Sequence, residues 1–311
     1  MNEIIETLGG PNGLWVLAVG YFGMSLLERV YRLIADARSD VAAYDNRDAL
    51  CSIGLNLISS LIGIAVGLLL PLALYVGVYE NFRLTTIEAL WISIPIAFVM
   101  HELAYYWEHR AAHRVGLLWA FHSIHHSSNS FNHTTAARGF YLDGQLKIVG
   151  ALIAALLGVP IVVYVAVTVL KNLYGIWNHA SYVGRLTGRL GWLEDVLATP
   201  INHKIHHANQ PDYIDRNYSQ VLIVWDDLFG SRARYTVEPV VGLVEPVTDN
   251  NPLTAMFVGL SQLRKKIRSA DRLSDKLAYL WRPPEWSHDG RCHGSCPKYS
   301  RPAPAIADRP A

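Results

Sequence analysis

Histidine dominates the chemistry open to this sequence. Eleven of its thirteen histidines fall between His101 and His207, and nine of those sit in three tight clusters. The first reads His101-Glu102-Leu103-Ala104-Tyr105-Tyr106-Trp107-Glu108-His109-Arg110-Ala111-Ala112-His113. The second is His122-Ser123-Ile124-His125-His126, and the third is His203-Lys204-Ile205-His206-His207. Neutral imidazole is the commonest protein ligand for metals, and residues three or four apart share one helix face. His109/His113, His122/His125/His126 and His203/His206/His207 can therefore each aim several nitrogens at one point. Together they exceed what one tetrahedral ion uses, so the count favours two ions. Without metal, eight imidazoles on coincident faces would lose hydration with nothing to offset it. All-nitrogen donor sets suit zinc, iron, copper or nickel. A hydrolytic zinc helix reads His-Glu-x-x-His; His101-Glu102 begins that way, but Tyr105 stands where the second histidine belongs. Oxygen activation at two irons fits best. Soluble di-iron proteins draw Glu and His from a four-helix bundle; here histidine takes over most of that role. His133 has no partner at helical spacing, and His288 and His293 read as ordinary polar residues.

The elements that must carry these clusters are apolar. The chain has 311 residues, 51% hydrophobic and only 17% charged, and its net charge of +1 gives no bulk attraction for nucleic acid. Residues 14–34 are mostly apolar, with Glu28, Arg29 and Arg32 near the end of the run. This run lacks a basic leading region and a small-residue cleavage site, so it reads as a retained span. Residues 51–78 carry no charge, enough to cross a bilayer with some tilt or a kink at Pro71. Residues 89–100 are apolar and run into the first cluster. Residues 148–170 are uncharged, but Gly158 and Pro160 interrupt them, which suggests a helical hairpin that dips in and returns. Arg29, Arg32, Arg38 and Arg47 surround the first loop, whereas Arg83 is alone in the next. The first loop is thus expected to be cytoplasmic, the N-terminus outside, and all the clusters on the cytoplasmic face.

The expected fold is all-α, with about four membrane-crossing helices or hairpins and a cytoplasmic helical cap holding a histidine-rich di-metal site. Four segments are expected: an N-terminal stretch over 1–13, the membrane and histidine domain over 14–230, a helical region over 231–282 and a disordered tail over 283–311. In the third, residues 251–263 read as helix. Residues 264–281 then place Ile267, Ala270, Leu273, Leu277 and Leu280 on one face among basic residues. That pattern suits either a helix on an anionic membrane surface or a cap docked on the histidine domain. Three cysteines exclude a disulfide framework. Cys292 and Cys296 flank His293, without the usual paired spacing of a zinc site.

At Tyr105-Tyr106-Trp107-x-His109-Arg110-x-x-His113 and Leu118-Trp119-x-x-His122-x-Ile124-His125-His126-Ser127, the sequence resembles the fatty acid hydroxylase/sterol desaturase superfamily of integral-membrane di-iron enzymes. The resemblance continues through Asn202-His203, His206-His207, Asp215-x-Asn217-Tyr218 and Val224-Trp225-Asp226-x-Leu228-Phe229-Gly230, and covers roughly residues 102–230. The stretches 122–138 and 215–230 look most like the alkylglycerol monooxygenase branch and its bacterial relatives. The resemblance implies nine ligands to two Fe ions: His109 and His113; His122, His125 and His126; His179; and His203, His206 and His207. It implies a further ligand or supporting hydrogen bond from His101 or Glu102, where relatives often carry Asp. A histidine four residues before His179 in some relatives is Gly175 here, and Ser219 replaces a common glycine. Ligand imidazoles need their second nitrogen held; Asp143, Asp195, Asp212, Asp226, Asp227 and Asn202 are candidates, with Arg110 and Arg138 able to pair with acids or lipid.

The implied reaction is hydroxylation of a fatty acyl, alkyl or sterol-like C–H bond with O2 and two electrons. Desaturation at the same centre is the alternative, and a metal transporter or metal-binding membrane protein a more distant one. No Gly-x-Gly-x-x-Gly fingerprint occurs, so the electrons are expected from a separate cytochrome, ferredoxin or tetrahydropterin. The expected location is the inner membrane of a bacterium or the endoplasmic reticulum of a eukaryote.

Overall fold

The computed structural model describes residues 1–36, 44–66, 70–184 and 189–291. Arg38, Cys292, His293 and Cys296 lie outside them. Among the described residues all regular structure is helical, apart from isolated bridges between Leu197 and Leu222 and between Ala208 and Val241.

α1 (Asn2–Gly9) packs its Ile5 and Leu8 beside α8. α2 (Asn12–Asp36) has an inside-out pattern. Its buried face carries Gly13, Tyr21, Ser25, Glu28 and Arg32, whereas Trp15, Val19, Phe22, Leu26 and Leu27 are all more than half exposed. A helix with polar residues inward and apolar residues outward suits lipid, not water. Among the described residues, α2 and α3 (Asn46–Val66) are the two helices long and apolar enough to cross a membrane. Within the uncharged run from 51 to 78 the described residues are helical, in α3 and again in α4 (Leu70–Phe82), which carries Pro71.

α5 (Leu90–Arg114) continues through Pro95 for 25 residues and joins the apolar region to the histidines. α6 (Gly116–His122) follows at once. The run over 148–170 breaks where glycine and proline require it, into α7 (Ile148–Leu156) and α8 (Ile161–Trp177). Gly158 has φ +86°, and a Cβ there would lie 1.9 Å from the Thr85 carbonyl oxygen, so only glycine fits. α7 and α8 pack on α5, and residues of α1, α4, α5, α7 and α8 form the main apolar core.

Beyond α8 the chain forms short helices, α9 (Leu193–Val196), α10 (Pro200–His206) and α11 (Val224–Leu228), and then α12 (Pro252–Ser269) and α13 (Leu273–Trp281). The expected helix over 264–281 is broken at residues 270–272. α12 instead buries Ala255, Met256, Gly259, Leu263 and Lys266, an i, i+3/i+4 stripe, against α6 and α3. Leu263, Ala270 and Tyr279 pack with Ala120, so this region docks on the histidine-bearing part, while Leu273 and Leu277 face outward. The described start of the expected disordered tail is also packed: Trp286 lies 4.9 Å from the Tyr279 ring.

Candidate metal centre

Five short pieces of chain bring the histidines together. α5 presents His109 and His113 one turn apart, and α6 ends on His122. A 3-10 turn over His125–Ser127 supplies His125 and His126. His179 follows the last residue of α8 by two positions, and α10 supplies His203 and His206 with His207 as its C-cap. α10 has a sequence-encoded start: the Thr199 hydroxyl caps Asn202 N–H, and Pro200 occupies the first turn. Asn202 then donates to Glu194 O and Leu197 O, fixing the helix to the preceding loop.

The nine histidines implied by the resemblance fall into two groups. His109, His113, His122, His126 and His206 form the first, and His125, His179, His203 and His207 the second. Within each group the nearest nitrogens all lie within 4.8 Å of one another. Every member except the half-buried His125 is buried.

Hydrogen bonding fixes which nitrogen faces inward. Nδ1 of His109 donates to Tyr218 O (2.7 Å), that of His125 to Arg138 O (3.0 Å), that of His179 to Gly175 O (2.8 Å) and that of His206 to Arg216 O (2.8 Å). A carbonyl oxygen can only accept, so in these neutral rings Nε2 carries a bare lone pair. His122 Nδ1 meets Asp143 Oδ2 at 3.0 Å, and His113 Nδ1 meets Asp215 Oδ1 at 3.3 Å. His125 Nε2 and His179 Nε2 nevertheless approach to 3.4 Å, lone pair against lone pair. The Nε2 atoms of His109, His113 and His206 are buried with no hydrogen-bond partner. A shared cation accounts for all of this; hydrogen bonding does not. The donor set therefore fits two metal ions, one per group. Burial holds His206 down to about 3 and His125 to about 4, so both rings are neutral and ligand-competent at ordinary pH.

His101 and Glu102 are in neither group. Glu102 accepts from Lys171 Nζ and from Leu222 N–H, tying α5 to α8 and to the loop before α11. His101 lies beside the Tyr164 ring, 5.9 Å between centroids. His133 is buried, with Nδ1 donating to Ile176 O. Of the candidate acids, Asp143 touches an imidazole. Asp226 instead accepts from the amides of Tyr218 and Ser219, holding the turn whose Tyr218 carbonyl receives His109. Asp195 and Asp227 pair with Arg232. Arg138 pairs with Asp48, and Arg110 donates to Tyr106 Oη and Phe229 O.

Sequence reasoning missed Asp215 as the partner of His113. Its signal was local: Asp215 and Asn217 adopt φ +61° and +56°, the left-handed region that Asp and Asn tolerate best among non-glycine residues. Burial, reinforced by the charge of Glu285, raises the Asp215 carboxyl to about 7 against the pull of Arg114 and Arg216. Asp215 also borders a cavity of about 300 Å³ that reaches the first group through His113, His126 and His206. Trp119 Nε1 and Tyr218 Oη, both buried without a partner, line the same cavity.

Residues 94–231 match the family model described as fatty acid hydroxylase. The chain is 32% identical to the alkylglycerol monooxygenase of Homo sapiens over 241 residues, 77% of this chain and 53% of that protein. It is 32% identical to that of Danio rerio over 219 residues, 70% of this chain and 48% of the relative. It is 29% identical to the ornithine lipid hydroxylase OlsE of Rhizobium tropici over 140 residues, 45% of this chain and 41% of that protein. The chain thus spans about half the length of the alkylglycerol monooxygenases it matches. No solved structure matches it.

Proposed function

Because residues 94–231 belong to the fatty acid hydroxylase family, we propose that this chain is a membrane-bound oxygenase that hydroxylates a lipid C–H bond with O2 and two electrons. The observation that carries the reading is the pair of converging imidazole groups, five and four strong, with Nδ1 of His109, His113, His122, His125, His179 and His206 held by hydrogen bonds and Nε2 of His125 and His179 facing each other. Two iron ions held there would supply the chemistry of O2 activation. Their ligands are His109, His113, His122, His126 and His206 for one ion, and His125, His179, His203 and His207 for the other.

The remaining residues position and shield. Tyr218, Arg138, Gly175 and Arg216 hold imidazoles through backbone carbonyls, and Asp143 and Asp215 through carboxylates, which fixes ring orientation and raises ligand basicity. Phe131 stacks on His179 with ring centroids 5.5 Å apart and shields the second group from water. On this reading α2, α3 with α4, α5, and α7 with α8 make four crossings or hairpins, and residues 189–291 cap the site on the cytoplasmic face. The lipid is an amphiphile of the kind named for the relatives, an alkylglycerol or an aminoacyl lipid. The electrons come from a separate cytochrome, ferredoxin or tetrahydropterin.

The test is an accurate-mass lipidome of cells expressing the chain under heavy-isotope O2, against His206→Ala at matched protein level. A lipid that gains one heavy oxygen only with the intact chain supports the proposal. A lipid that loses two hydrogens instead marks a desaturase. No difference, in a host with a working donor, sinks it.

A further inference from the structure

Glu28 is a carboxylate on a candidate membrane span, and it is 1% exposed. Burying such a charge is costly unless it is compensated, and among the described residues no cationic group pairs with it. Its two oxygens are divided instead between two main-chain amides. Oε2 accepts from His133 N–H at 2.7 Å and Oε1 from Ser181 N–H at 2.6 Å. These amides belong to segments 48 residues apart in sequence, and both flank the second histidine group. Ser181 lies two residues after His179. His133 lies two residues after Phe131, whose ring stacks on His179. The His133 ring adds a third tie, since its Nδ1 donates to Ile176 O, the same carbonyl that accepts from His179 N–H. α2, the 3-10 turn over His133–Ala137 and α8 contact one another pairwise. Among the described residues no comparable hydrogen bond links α2 to the first group, which hangs on α5, α6, the 3-10 turn over His125–Ser127 and α10.

We propose that Glu28 is a positioning residue for the second metal ion: its carboxylate clamps the two loops that aim His179, so the first span sets the occupancy of the four-histidine group and leaves the five-histidine group alone. The inference rests on the reading of the two groups as metal sites. Its physical content is divalency. A carboxylate offers two acceptor oxygens to two N–H donors. A glutamine offers one, and its NH2 would face the other donor.

The test uses full-length protein in detergent, loaded with Fe(II) or Co(II) and titrated with a competing chelator. Wild type is expected to release two ions. In Glu28→Gln one ion should leave at a chelator concentration about tenfold lower, the scale set by losing a partner that orients a ligand. The other ion should leave as in wild type. Backgrounds assign the ion: in His206→Ala, adding Glu28→Gln should loosen the ion that remains, and in His203→Ala it should not. Ser25→Ala, on the same buried face of α2, should keep both ions. Unchanged release from Glu28→Gln, equal loosening of both ions, or loss of folded protein would each overturn the proposal, the last by making Glu28 a general scaffold residue. Failure of wild type to hold two ions would instead overturn the metal reading itself.

Discussion

Asp143 offers the sharpest quantitative test of the first group. Its Oδ2 lies 3.0 Å from His122 Nδ1, and its side chain is 19% exposed. In Asp143→Asn the amide oxygen can still accept the same N–H. What is lost is charge assistance, the difference between a charge-assisted bond of roughly 1.5–3 kcal/mol and a neutral one of roughly 0.5–1.5. That is about 1 kcal/mol, or about fivefold in affinity at 1.36 kcal/mol per tenfold. Asp143→Ala removes the acceptor and leaves His122 free to turn, a change on the scale of about 10–100-fold. Because His122 belongs to the first group alone, each loss should fall on one ion of the two. The assay is chelator competition with both variants and with Asp227→Asn, whose carboxylate is 49% exposed and pairs with Arg232 away from the imidazoles. Asp227→Asn should match wild type. An alanine variant with wild-type affinity, or one that weakens both ions alike, would refute the claim that an oriented His122 serves only the first ion.

Other consequences concern folding. In chelated protein the His206 ring protonates near 3, but in the unfolded chain near 6.5. Its folded value is depressed, so the unfolded state binds more protons between these limits. Stability from this group is complete above pH 6.5 and falls with acid, by about 2 kcal/mol at pH 5; urea midpoints at pH 7.5 and 5 should show the drop, and equal midpoints would contradict it. Gly158→Ala should destabilise by about 2 kcal/mol or more, from its left-handed backbone and the contact with Thr85 O, read as a lowered thermal midpoint in detergent. Asp48→Asn leaves the buried Arg138 guanidinium without its counter-charge, at a cost of about 3–5 kcal/mol. Since Arg138 O holds His125, it should also loosen the second ion, and a chelator titration would show both ions unchanged if that coupling were wrong.

The histidines were legible because ligand chemistry needs particular side chains at particular spacings. His109 with His113 and His203 with His206 and His207 announce themselves on helices. The break at Gly158 and Pro160 was equally readable, since both residues have strong backbone preferences. What anchors the rings was mostly invisible: Tyr218, Arg138, Gly175 and Arg216 act through carbonyls that any residue could supply. The division into groups was hidden too. His125 and His126 are adjacent, yet they serve different groups, because a 3-10 turn points successive side chains apart. The single-helix pattern over 264–281 misled because Ile267, Ala270 and Leu280 pack toward α6 from either side of the break at 270–272, while Leu273 and Leu277 face outward. Glu28 looked like the charged end of a span until its partners, more than a hundred residues away, came into view.

On the proposed reading these histidines hold two inequivalent iron ions, one in each group. The direct measurement is Mössbauer spectroscopy of protein purified from cells grown on iron-57, with total metal determined on the same sample. About two irons per chain are expected, one ion in each histidine group, with two resolvable iron environments of equal area. One iron per chain, or zinc filling both groups, would contradict it.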